Sequence, residues 1–473
     1  MKSLFANISL VVLLNLLVKP VWVLVEMKVQ DVIGHADWGM YAALLSFGFL
    51  FITLADLGVN YYATKTLAGQ PELMRSYFPN LLTFKVFITL VYPFVMVGAG
   101  WMLGYGERKL YILLLLCLVH GGGQILQFFR ANFQAMQRFR IDGIFSVLDR
   151  VVLLIIVGVL FVTGMDIDRF VYGRLLAIGI SILICYMVLL RLYGWMAPQL
   201  DRPLIAKIVK QSLPFAMMTV LYSIHDKVDQ VMLERMAGET ANGLYVAAYR
   251  WLDAFSMYLW TVLPIFFARF AFFINDIKEQ ERLLHFGQII ASLPLIFVSV
   301  FVFFYGEQLL FLYDNSTVEE LAVMRSCLQA LFGAALLNAV FAIFSTLLTS
   351  TGYERYVNRM VAVAIGLNIV LNAIFIPTYG AIACAWSTLL SYALMDVAYV
   401  IYISRHLDIE VPWSQMFRLF LLAGLLAVMM FGLQWTGLSW LWVTGLSGIG
   451  FIGGIFVLKL LTMEQIRGFR VKS

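Results

Sequence analysis

Apolar stretches of helix length follow one another along nearly the whole chain, and that leaves few folds open. A helix needs roughly 20 mostly apolar residues to cross a bilayer core of about 30 Å. Such stretches run over 4–25, 39–64, 81–103, 110–129, 143–163, 169–190, 208–233, 243–268, 284–312, 321–350, 357–377, 380–403, 414–434 and 438–460. No connection between them is long enough for a soluble domain. With 62% hydrophobic and 13% charged residues and a mean hydropathy of +0.88, the chain is too apolar to be soluble. The reading is an all-α integral membrane protein of about 14 transmembrane helices. The first stretch has one lysine ahead of it and no small-residue cleavage site, so it reads as a retained helix.

The placement of cations gives an orientation. With the N-terminus inside, twenty lysines and arginines fall in one set of alternate connections and only five, Lys28, Arg108, Lys109, Arg169 and Arg235, in the other. The positive-inside rule then predicts both termini in the cytoplasm. Cys117, Cys185, Cys327 and Cys384 stand singly in apolar segments, at no disulfide or metal-ligand spacing, and read as packing residues.

Two short echoes point to an internal repeat. Gly39-Met40-Tyr41 opens the second span and Gly243-Leu244-Tyr245 the eighth, 204 residues later; Tyr172-Gly173 and Tyr379-Gly380 form a second pair, 207 apart. A six-helix unit would enter the membrane twice in the same orientation. Parallel repeats of this kind place a substrate site between two halves. The expected organisation is an N-lobe over 1–200 with helices 1–6, a C-lobe over 201–408 with helices 7–12, and two extra helices with a cytoplasmic tail over 409–473. Chance recurrence of Gly-Tyr dipeptides is the alternative.

The stretch "IGHADWGMYAALLSFGFLFITLADLG" (33–58) resembles the first signature of the polysaccharide exporters and O-antigen flippases of the multidrug/oligosaccharidyl-lipid/polysaccharide exporter superfamily. "KQSLPFAMMTVLYSIHDKVDQVMLERMAGETANGLYVAAYRW" (210–251) and "GLNIVLNAIFIPTYGAIACAWSTLLS" (366–391) are similar to its later signatures, and the resemblance runs over about residues 3–405. It implies a two-lobed helical transporter of the bacterial cytoplasmic membrane. The implied substrate is a polyprenyl-pyrophosphate-linked oligosaccharide, a repeat unit of O-antigen, capsule or exopolysaccharide, moved to the outer leaflet by alternating access. The implied partners are that substrate and membrane lipids, with a polysaccharide polymerase as a further candidate, no nucleic acid and no cofactor. His35, Asp37 and Trp38 depart from the family, which commonly has a small or acidic loop there.

Ionisable residues at membrane depth cost several kcal/mol unless they meet water or a partner. Lys85, Arg174, Arg325 and Arg418 lie near span ends, where long side chains snorkel to the headgroups. Lys19, Arg150, Lys227 and Arg250 are deeper, two in each expected lobe, and are the candidate cavity cations for a diphosphate carrying about two negative charges. The other reading makes each a helix-locking pair: Lys19 with Asp56, Arg150 beside Asp149, Lys227 with Asp226 or Asp229, Arg250 with Asp253 or Asp229. Pro20, next to Lys19, predicts a kink in the first helix. Sodium or proton coupling is also in view. In the lipid II flippase branch an acid on helix 7, two polar residues one turn apart on helix 11 and a hydroxyl on helix 12 hold sodium; Asp229, Asn368 with Asn372, and Thr388 fall at similar places. The second Asn replaces an acid there, and amide bonding between helices is the alternative. Asp396 is a second candidate proton or ion group.

Four deep cations argue against the cationic-drug exporters of the same superfamily. A membrane glycosyltransferase or polymerase acting on lipid-linked sugars would be expected to present catalytic acids and often a long outer loop, and the longer outer connections here are as short as "RMAGETANG" and "YDNSTVEE". No phosphate-binding Gly-Lys-Ser/Thr loop, Ser/His/Asp set or metal-ligand His pair is present. The expectation is a transporter and not an enzyme.

Overall fold

The structure is a computed structural model that describes residues 18, 20–60, 74–136, 138–195 and 197–461. Among these the apolar stretches become helices in the expected order. They are α1 (20–33), α2 (His35–Leu50), α3 (Met74–Met102), α4 (Glu107–Ala135), α5 (Phe139–Thr163), α6 (Ile167–Tyr193) and α7 (Arg202–Ala237), then α8 (Glu239–Phe272), α9 (Ile277–Tyr305), α10 (Val318–Ser350), α11 (Glu354–Tyr379), α12 (Ala381–His406), α13 (Trp413–Gln434) and α14 (Trp440–Val457). Eleven helices among the described residues, α3 to α6 and α8 to α14, are long and apolar enough to cross a membrane. Polar side chains mark the helix starts. Asp166, Asp201 and Asp276 each accept the backbone N–H three residues on, and Thr317 and Glu320 form a reciprocal capping box at α10.

The second apolar stretch is not one helix. Instead of running over 39–64, α2 stops at Leu50, a 3-10 turn takes Ile52–Ala55, and Leu57 and Gly58 have φ of 49° and 76°. Gly58 is required twice over, because its φ is positive and a Cβ there would sit 2.7 Å from the Ser212 carbonyl oxygen of α7. Asp56, at this break, is ion-paired with Lys85 of α3. Broken backbone at membrane depth is tolerated where protein side chains satisfy it, and here the break is packed by α3 and α7.

Contacts divide the chain into two compact units, Met1–Gly243 and Leu244–Ser473. Helix α7, which the repeat assigns to the C-lobe, packs on α2 inside the first unit. The core of that unit is aromatic: Phe78 stacks on Phe128 with centroids 5.5 Å apart, and Phe133 on Phe145 at 5.7 Å. In the second unit α10 packs against α9 and α12, and α11 against α12. The last two helices lean on α9 through Phe304 with Phe431 and Phe297 with Phe451. Outward positions on α3, α5, α13 and α14 carry exposed Phe87, Phe94, Ile155, Val162, Val428 and Trp442, the surface a lipid-embedded helix presents.

Candidate functional site

A dense set of polar contacts lies in the first unit, where the start of α2 meets the α7–α8 turn and the start of α4. Gly39 and Gly243, the repeated glycines, meet here reciprocally. A Cβ on Gly39 would overlap the Glu239 carbonyl oxygen, and one on Gly243 would overlap the carbonyl oxygen of His35, itself 204 residues before Glu239. Asn242 donates to the Gly39 carbonyl at 2.7 Å, and Gln30 donates to the Gly243 carbonyl at 2.8 Å. Tyr41 and Tyr245, the tyrosines of the same echo, are both fully buried. The other echo has no such counterpart, since Gly173 lies inside α6 and Gly380 in the turn before α12.

Charges ring this clasp. Lys109 bridges Glu234 and Glu239, the latter at 2.9 Å, and Arg108 reaches Asp37 at 3.6 Å and Asp168 at 4.0 Å. Arg235 donates to the Leu103 carbonyl at 2.6 Å and lies over the Tyr105 ring. Burial, with the Glu234 carboxylate beside it, holds the Tyr105 phenol above its ordinary value, so it stays a neutral donor. The three residues that depart from the family all have places here. His35 Nδ1 pairs with Gln30 at 3.0 Å, Asp37 takes Arg108, and Trp38 is buried against Tyr41 and Phe170. Lys109 with Glu234 and Glu239, Arg235 with Leu103, and Trp38 with Phe170 join positions more than a hundred residues apart, which no local motif signals.

Deeper charges sort differently from their positions along the spans. Lys85 and Arg174, expected to snorkel, point inward. Lys85 is fully buried on Asp56, so Asp56 has a partner other than the Lys19 the sequence suggested. Arg174 donates to Tyr41, and the charges of Glu26 on α1 and Asp149 on α5 act on it. Arg150, next along α5, is half-buried and makes no ion pair or hydrogen bond among the described residues. Lys227 pairs with its neighbour Asp226 at 3.0 Å, while the buried Asp229 accepts from the Gln230 N–H. Lys19 lies outside the described residues.

In the second unit Arg250 is buried on α8 with the Tyr313 hydroxyl 3.5 Å away. Asn372 donates to Asn368 at 3.0 Å along one face of α11, which leaves Asn372 Oδ1 buried with no partner among the described residues. Thr388 and Asp396 are buried on α12. No group of three or more His, Cys, Asp or Glu side chains placed to hold a metal occurs among the described residues.

One solved structure, titled lipid II flippase MurJ in an inward closed conformation, superposes with a TM-score of 0.78 over 96% of this chain and 100% of its own, at 12% identity. An inward-facing multidrug-resistance transporter of the same superfamily gives 0.67, over 85% of this chain and 98% of its own, at 12% identity. The multidrug transporter DinF-BH gives 0.60 over 86% and 96%, at 16% identity. These likenesses establish the fold. No curated protein matches the sequence. The model of the family described as polysaccharide biosynthesis protein matches residues 4–268, more than half of the chain, so this chain belongs to that family.

Proposed function

We propose that this protein flips a polyprenyl-diphosphate-linked oligosaccharide from the cytoplasmic to the outer leaflet of a bacterial cytoplasmic membrane, by alternating access and with both termini in the cytoplasm. The observation that carries the reading is Arg150, a half-buried guanidinium free of any carboxylate among the described residues, in a chain of a polysaccharide biosynthesis family. A half-buried cation without an acid is set up to accept an anion, and guanidinium matches phosphate oxygens in a bidentate way. Lys19, Arg150, Lys227 and Arg250 are the proposed diphosphate ligands, and the half-buried Arg174 joins them.

Two negative charges leaving a negative interior gain up to about 4 to 5 kcal/mol at 100 mV if they cross the whole field. The potential therefore favours export, and it also draws a positively charged empty site back toward the negative interior. A cation moving inward with the empty carrier would add to that drive, which is the role proposed for the ion candidates Asp229, Asn368, Asn372, Thr388 and Asp396. On the orientation that the loop cations favour, the clasp of α2 with the α7–α8 turn lies at the outer end and must open to release substrate.

The test is flipping in proteoliposomes. The probe is a polyprenyl diphosphate N-acetylglucosamine with a fluorophore on the sugar, read by bleaching with a membrane-impermeant reductant. The expected result is protein-dependent bleaching of the inner pool, faster when the potential is positive on the receiving side. Bleaching confined to the outer leaflet, together with transport of a cationic dye, would move the protein to the drug-exporter branch.

A further inference from the structure

Asp396 is the only charged residue of α12 before Arg405. It stands ten residues, about 15 Å of helix, before the C-terminal His406. Its side chain is buried, and Oδ2 has no hydrogen-bond partner among the described residues. Two helices pack on α12, namely α10 and α11. The register of α11 is fixed by the Tyr356 hydroxyl donating to the Ala398 carbonyl at 3.0 Å and by Tyr356 stacking on Tyr402 at 3.9 Å. The buried residues of α11 that follow in the next turns, at the level of Asp396 in this antiparallel pair, are Val357, Val361, Ala364 and Ile365, all apolar; Asn368, Asn372 and Ile376 are buried further along the helix.

Every titratable group on the three helices is accounted for elsewhere. On α10, Glu319, Glu320 and Arg325 lie in the first turns, Cys327 follows them, and no titratable residue occurs from Leu328 to Ser350. On α11, Glu354, Arg355 and Arg359 lie in the first two turns with Tyr356, none occurs from Met360 to Thr378, and Tyr379 is exposed at the far end. On α12, Cys384 is buried, Tyr392 and Tyr399 have partners of their own, Tyr402 stacks on His406 with centroids 4.5 Å apart, and Arg405 and His406 are exposed at the end. The stack of Tyr356, Tyr402 and His406 thus separates the carboxyl from that end of the helix.

A carboxylate in such surroundings cannot stay ionised without a positive partner. A metal cation would need about six oxygen ligands, and no second carboxylate stands by Asp396 on the helices packed there, nor is any group of three or more His, Cys, Asp or Glu side chains placed to hold a metal among the described residues. A proton needs one. We infer that Asp396 is the proton-binding site of the transport cycle. It is neutral while α10, α11 and α12 are packed as here, and it releases its proton to water when the cycle opens this face; the exchange is carboxylate plus proton to carboxylic acid and nothing else. The inference rests on the flippase reading and deepens it, since it names the ion that drives the return of the empty carrier.

Two measurements separate the inference from that reading. In infrared difference spectra between acid and alkaline pH, the purified wild type should show the C=O stretch of a protonated carboxyl lost at high pH, absent in Asp396→Asn and present but shifted in Asp396→Glu. In the flipping assay with the same N-acetylglucosamine probe, a pH gradient should speed the wild type several-fold, up to about tenfold per unit. Asp396→Asn should flip at one rate with and without the gradient. A gradient response kept in Asp396→Asn, a wild type indifferent to the gradient, or no carboxyl band assignable to Asp396 would overturn the proposal. A wild type that shows the band but flips no probe would sink the flippase reading and leave the proton site standing.

Discussion

The clasp of the first unit and the α10–α12 pack of the second unit handle buried charge in opposite ways. Around the clasp almost every charge has a partner: Lys109 has two acids, Arg108 two, and Lys28 pairs with Asp31 at 2.9 Å, while away from the clasp in the same unit Lys85 is buried on Asp56. In the α10–α12 pack Asp396 Oδ2 has no partner among the described residues. Paired buried charges fix geometry, because separating them strands a charge in a poor solvent. Unpaired ones can be kept only if something mobile neutralises them. The difference separates residues that hold the machine together from residues offered to its ligands, and Arg150 in the first unit falls on the ligand side of that line.

The comparison breaks first at the glycines. Gly39→Leu forces a branched side chain into the Glu239 carbonyl, so a loss of about 3 kcal/mol or more is expected, seen as the largest drop in melting temperature in detergent. An unchanged melt would mean the clasp is not formed as described. Lys85→Ala should cost on the order of 3 kcal/mol, somewhat tempered because Asp56 keeps 21% side-chain exposure. Lys85→Met with Asp56→Leu should recover most of it, and failure to recover would show that Lys85 does more than neutralise Asp56. Lys109→Ala leaves Glu234, only 3% exposed, without its cation and should cost about 2 kcal/mol. Arg108→Ala removes pairs in which both partners are well exposed, and its effect on melting should stay below about 0.5 kcal/mol.

Much of the fold is legible in the sequence because a membrane span is a local property of about twenty residues. All the apolar stretches correspond to described helices, if only in part for the first. The break after Leu50 escapes notice for the same reason. Averaging over a window hides Asp56-Leu57-Gly58, whose effect comes from one ion pair and two positive φ angles. Gly39 and Gly243 are visible as a repeat, but not as surfaces that press on each other, since contact between positions 204 apart leaves no local trace. Lys85 and Arg174 turn inward against expectation because depth along a span says nothing about which face a side chain takes. Asp396 stands out because it is the lone charge in a long apolar run, and its isolation is a property of the run as much as of the fold.

The measurement that tests the division of charges most directly is flipping of the N-acetylglucosamine probe by Arg150→Ala, with its melting temperature taken on the same preparation. The account predicts a melt within about 0.5 kcal/mol of wild type, since no partner is stranded, and flipping lost. Wild-type flipping by a well-folded Arg150→Ala, or a melt as low as that of Lys85→Ala, would contradict it and return Arg150 to the helix-locking residues.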